Sequence, residues 1–148
     1  MLKKFASLVV VSLLVVVTTQ AQIRDIPSQV KDAFAIQYPQ ADNVSYKDYL
    51  TSVAVKFTQN GNNMIARYDN QGIWKETEKT ASFEEMPQDV RDGLQKSKYA
   101  DWKVEETAII NYPANEIRYR IKVSKNDIQK KYLYFNKNGR LVRDAITI

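Results

Sequence analysis

Six side chains toward the C-terminal end have types and spacing suited to recognition: Arg118, Arg120, Lys122, Lys130, Tyr132 and Tyr134. They fall at every second position of two segments, so if each segment is a strand they share one sheet face. Arginine gives planar, directed hydrogen bonds to carboxylates, and tyrosine gives rigid contact area with a polar end. Both are enriched where proteins bind proteins. An ordinary solvated face of an antiparallel sheet carries similar residues. Earlier in the chain, the matching face would hold Lys56, Ile65 and Arg67.

The residue types that are missing narrow the chemistry further. The sequence contains no cysteine and no histidine, which removes Ser-His-Asp and Cys-His nucleophile systems and the usual zinc and haem sites. Aspartate and glutamate are plentiful but scattered through turns and helix starts, and no spacing marks an acid–base pair. The four glycines are isolated, so no phosphate-cradling loop is present. The chain is therefore expected to be a non-enzyme, with no catalytic residue, metal ligand or cofactor. Its net charge of +5 is mild, which argues against a nucleic-acid partner.

The elements that would position the six residues follow from periodicity. Ile117, Tyr119, Ile121 and Val123 alternate with Arg118, Arg120, Lys122 and Ser124, the period of a strand with one buried face. Lys125-Asn126-Asp127 turns the chain into a strand over residues 128–135, with Leu133 and Phe135 on the core side beside Ile117, Tyr119 and Ile121. Residues 102–112 and 141–148 supply further strands, and Pro113-Ala114-Asn115 turns the first of them. Upstream, Val53, Val55 and Phe57 alternate in the same way, and Asn60-Gly61-Asn62 marks a hairpin. Met64, Ala66 and Tyr68, residues 73–79 and a short strand at 44–47 complete that sheet. The turn Phe135-Asn136-Lys137-Asn138-Gly139 repeats Tyr68-Asp69-Asn70-Gln71-Gly72.

A second repeat sets the helices. Met86-Pro87-Gln88-Asp89-Val90-Arg91-Asp92-Gly93-Leu94 lies over Ile26-Pro27-Ser28-Gln29-Val30-Lys31-Asp32-Ala33-Phe34. Proline suits a first helical turn, where its missing N–H costs nothing. Val30, Phe34 and Tyr38 form one apolar stripe ended by Pro39; Val90, Leu94 and Ser97 form a weaker one. Gly93 stands where Ala33 does, which fits either a close approach of helix and sheet or drift at a tolerant site. The expected fold class is α+β: two tandem helix-plus-antiparallel-meander repeats of about four strands each, with the helices packed on one face of the sheet. The repeats would occupy residues 22–82 and 83–148. Whether their sheets merge is left open.

Residues 1–21 read as a secretory signal peptide. Lys3 and Lys4 precede an apolar run over residues 5–17, and Thr19-Gln20-Ala21 offers small residues for cleavage after Ala21. Removal would lower the net charge by two and leave no membrane segment. No cysteine follows the cut, which argues against a lipid anchor. An exported chain without disulfides must be held by apolar burial.

The pattern Ile26-Pro27-x-x-Val30 leading to Tyr38-Pro39-x-Ala41, then Tyr68-Asp69-x-x-Gly72-x-Trp74, restarting at Met86-Pro87-x-x-Val90, resembles the PepSY-like family, described as beta-lactamase-inhibitor-protein-like. The resemblance implies a periplasmic or secreted location and no established catalytic activity. Inhibitor-like proteins bind an enzyme through a concave sheet surface, and PepSY modules are associated with restraining peptidases. This chain lacks the inhibitors' cysteines, and no inhibitory loop matches. The expected function is an exported, non-catalytic binding module that presents a sheet face to a protein or peptide partner in the cell envelope, with a modulating role on an envelope enzyme. The alternative is a small-ligand carrier or sensor with a pocket between helices and sheet.

Overall fold

A computed structural model describes residues 24–147. The expected signal peptide, residues 1–21, lies outside the described residues. The elements run α1 (Ser28–Gln37), β1 (Asp42–Asp48), β2 (Ser52–Gln59), β3 (Asn62–Asp69), β4 (Trp74–Thr80), α2 (Gln88–Gln95), β5 (Lys103–Asn111), β6 (Ile117–Ser124), β7 (Lys130–Asn136) and β8 (Leu141–Ile146).

All eight strands join in a single antiparallel sheet in the order β1 to β8. This corrects the expected fold class. The chain does not form an α+β pair of tandem helix-plus-meander repeats. It forms one eight-stranded sheet accompanied by two short helices. The physical reason lies at the middle of the chain, where Thr77–Thr80 of β4 pair with Asn111–Ala108 of β5 and close the gap between the first and last four strands. The helices stay short because their boundaries are tight. Pro27 and Pro87 set the starts; Tyr38 ends α1 just before Pro39, and Lys96 ends α2. Each helix fully buries only two side chains, Val30 and Phe34 in α1 and Val90 and Leu94 in α2.

Alternation along the strands gives the sheet a core face and an outer face. Two core clusters result. One joins Val30 and Phe34 to Val53, Val55, Phe57, Ala66 and Tyr68. The other joins Val90 and Leu94 to Met86, Tyr99, Tyr119, Ile121, Val123, Leu133 and Phe135. Burying one such apolar side chain stabilises by about 1.5–3 kcal/mol, and without cysteines these clusters have no covalent help. Ile117, expected in the core, sits at the start of β6 and is 39% exposed.

The open question at Gly93 is answered by geometry. A Cβ there would collide with the carbonyl of Gly139 in the β7–β8 turn, so the small residue is required by a turn rather than tolerated by drift. Gly72, in the β3–β4 turn, approaches α1 comparably, with the Gln29 carbonyl 2.5 Å from where its Cβ would be.

The end of α2 is tied to the last strand through charge. The Tyr99 hydroxyl donates to the Asp144 carboxylate, with Lys131 at 3.7 Å and Lys98 at 3.8 Å. The Tyr99 hydrogen bond, then the two lysines, hold Asp144 below the usual carboxylate range. A carboxyl depressed in the folded state stabilises above its unfolded pKa, and that contribution is lost as pH falls through the folded value. Thermal unfolding followed from pH 7 to pH 2 should therefore show Asp144→Asn less stable than wild type at neutral pH. The gap should close below about pH 4, and a gap that stays constant would remove Asp144 from the acid response.

Candidate outer-face docking surface

The register places the six expected residues together. Arg118 lies opposite Asn136, Arg120 opposite Tyr134, Lys122 opposite Tyr132 and Ser124 opposite Lys130. Because Leu133 and Phe135 turn to the core, all six side chains fall on the outer face. Arg120 sits 4.8 Å and Lys122 5.9 Å from the centre of the Tyr132 ring. Arg143 of β8 lies 4.4 Å from the Tyr134 ring, and Arg118 5.3 Å from that of Tyr112. Cation–ring contacts of this kind are worth about 0.5–1 kcal/mol where exposed.

What the sequence did not indicate is that these cations are already paired. Arg118 Nη2 meets Glu116 at 2.7 Å, and Lys122 meets Glu106 at 2.7 Å and Glu105 at 3.8 Å. Lys130 meets Glu105 at 3.4 Å. Arg120 grips Glu78 with both terminal nitrogens, one of them at 2.7 Å. The face is thus a neutralised lattice rather than a bare positive patch. Glu105 and Glu106 both reach Lys122 because β5 shifts register between Val104 and Glu106, the mark of a bulge. In the first half, Arg67 pairs with Glu76 at 3.1 Å, and Lys56 faces Ile65.

Electrostatics follow these pairings. Burial works against the Arg120 charge, but Glu78 beside it holds the pKa above its ordinary value. Glu106 raises Lys122, and the Ser124 hydroxyl, followed by Lys130 and Lys122, lowers Glu105. Burial, then Glu76 beside it, pushes the Tyr112 hydroxyl up to about 12.

The face is grooved at its centre. Beyond Thr80 the chain leaves β4 while β5 continues, which opens a cleft of about 660 Å³ lined by Glu78, Phe83, Glu84, Glu105, Glu106 and Arg120. A neighbouring hollow of about 320 Å³, with Lys56, Thr58 and Ile65 on its wall, shares Glu78 and Thr80 with it. Between α1 and β1 lies an open surface hollow of about 430 Å³ lined by Phe34, Tyr38, Val44 and Tyr46, and beneath it the side chains pack closely. Phe57 packs 5.0 Å from Phe34 and 4.6 Å from Tyr38 between ring centres, and Val30, Val53 and Val55 are fully buried. Among the described residues, no group of three or more Asp or Glu is arranged to hold a metal ion. No described helix is long and apolar enough to cross a membrane.

Comparison with known proteins adds a family. The model of the family described as "Putative beta-lactamase-inhibitor-like, PepSY-like" matches residues 51–143, from the loop before β2 into β8. No curated protein matches the sequence. Among solved structures, a DUF2874 family protein from Bacteroides ovatus shares 22% identity, with a TM-score of 0.76 over 83% of this chain and 89% of that one. A BLIP-like protein from Bacteroides fragilis shares 21% identity, with a TM-score of 0.75 over 85% and 89%. A protein from Bacteroides eggerthii described as one of the "putative periplasmic proteins" shares 20% identity, with a TM-score of 0.75 over 83% and 90%. These likenesses establish the fold. With the family model matching well over half its length, the chain belongs to the PepSY-like, beta-lactamase-inhibitor-like family.

Proposed function

We propose that the chain is an exported, non-catalytic binding module whose outer sheet face docks a protein or peptide partner of the cell envelope. Residues 1–21 act as its export signal, and residues 22–82 and 83–148 supply the two sides of one docking surface. Family membership, together with neighbours described as BLIP-like and as periplasmic, supports this reading. The observation that carries it is the lattice of cations stacked on Tyr112, Tyr132 and Tyr134, of which Arg118, Arg120 and Lys122 are held by carboxylates on the same face. Side chains fixed in advance lose little rotamer freedom on binding, which is where much affinity is otherwise lost. The charges of Arg118, Arg120 and Lys122 are satisfied, so a partner meets aromatic area with a polar rim, as at protein interfaces.

The test replaces Arg118, Tyr132 and Tyr134 together by serine and leaves Arg120, with its buried partner Glu78, in place. Protein partners captured from envelope extract by the wild-type chain should bind this variant at least tenfold more weakly, with the far-UV spectrum unchanged. Equal capture by a folded variant would move the docking surface elsewhere.

A further inference from the structure

β8 is the last strand of the sheet, so its far side has no neighbour among the described residues. The Thr147 N–H donates to the Lys130 carbonyl, while Asp144 and Ile146 stand opposite Leu133 and Lys131. Alternate residues of an antiparallel ladder exchange its hydrogen bonds. The N–H and C=O groups of Asp144 and Ile146 therefore point away from β7 and are open to another strand. The opposite edge, β1, runs regularly only from Ser45 to Asp48; before that its register shifts between Asp42 and Ser45, and Asn43 adopts φ 53°. The kinked start of β1 resists strand addition.

At the end of the β8 edge, Trp102, Ile128 and Ile146 surround a hollow of about 420 Å³, rimmed by Lys125, Lys130 and Lys131. Ile128 is 92% and Ile146 74% exposed. Single exposed isoleucines are unremarkable, but two bordering one hollow beside an open backbone edge are what strand-addition sites offer. The charge around them is cationic. Lys130 and Lys131 are each partly balanced, by Glu105 and Asp144, while Lys125 makes no ion pair among the described residues.

We propose that the β8 edge binds an extended acidic segment of a partner protein, one in which carboxylates alternate with branched apolar residues. Its backbone pairs with Asp144 and Ile146, its carboxylates face the lysines, and one apolar side chain enters the hollow. A second copy pairing through its own β8 would bring the same cations to the edge, so the charge complement favours a different protein. This surface shares Lys130 with the outer face but none of the residues changed in the outer-face triple variant, so the two proposals are tested independently.

The probe is fluorescein-labelled Glu-Val-Glu-Ile-Glu-Leu, titrated by anisotropy with the purified full-length chain. Saturable binding is expected, weakened at least tenfold by exchanging the probe's glutamates for lysines and equally by N-methylating its alternate amides. The double variant Lys125→Glu with Ile128→Ser alters only exposed side chains and should also lose at least tenfold. The outer-face triple variant should keep full affinity. Absence of binding, or equal affinity for the lysine probe, the N-methylated probe or the double variant, would overturn the proposal. So would self-association, or adsorption to phosphatidylglycerol vesicles, that the double variant abolishes while the acidic probe stays unbound.

Discussion

Gly139→Ala is expected to lower the free energy of unfolding by roughly 2–5 kcal/mol, summing a left-handed backbone penalty and overpacking. Two effects coincide at this position. Gly139 sits at φ +71°, where an L side chain is strained, and its Cβ would strike the Asp89 carbonyl at the start of α2. Backbone on both sides leaves nothing flexible to move. The control is Gly61→Ala, which shares the positive φ of +76° but has no atom within 4 Å of the new Cβ. It isolates the backbone penalty and should cost about 1 kcal/mol. Gly93→Ala supplies the other half. In an open helix it would stabilise by about 1 kcal/mol, yet here the Gly139 carbonyl blocks the methyl group, so the sign should reverse. Urea denaturation of the three variants should rank Gly139→Ala far below Gly93→Ala, with Gly61→Ala nearest wild type. A Gly139→Ala protein within about 1 kcal/mol of wild type would mean that α2 and the β7–β8 turn can separate without loss.

Strand positions and turns were legible because they depend on local signals. Alternation in residues 117–123 set which side chains face the core, and glycine marked the turns at Gly61, Gly72 and Gly139. The same period of two brought Arg118, Arg120, Lys122, Lys130, Tyr132 and Tyr134 to one face. The single sheet was not legible, because it depends on the four-residue pairing of β4 with β5, whose partners stand some thirty residues apart with α2 between them. No periodicity encodes a pairing partner. The neutralisation of the site was hidden for the same reason. Glu78, Glu105 and Glu106 look like scattered surface acids until the register carries them beside Arg120, Lys122 and Lys130. One clue was present: Ala108 is a small residue in a strand otherwise rich in larger ones, and its place between Thr80 and Arg120 leaves room for a side chain to cross β5.

That crossing carries the second large effect. Neighbouring strands lie about 4.8 Å apart, so Arg120 on β6 must span two strand spacings to reach Glu78 on β4, and a long side chain over a small one achieves it. The pair is mostly withdrawn from water, with the Arg120 side chain 18% and the Glu78 side chain 11% exposed. Arg120→Leu leaves a nearly buried carboxylate without its partner and should destabilise by roughly 2–4 kcal/mol, somewhat below the range for fully buried pairs. Replacing both residues by leucine should recover most of that loss, since well-packed apolar side chains can substitute for a buried ion pair. The difference between the single and double variants is the coupling, and denaturant titration of the complete cycle measures it. Ala108→Leu should reproduce part of the Arg120→Leu loss by blocking the path between the two charges. The cycle also separates holding the sheet together from docking. Glu78 and Arg120 both line the central cleft, so a double variant restored in stability but still weak for its partner would assign the pair to recognition. Full recovery of both would confine it to joining β4 to β6 across β5.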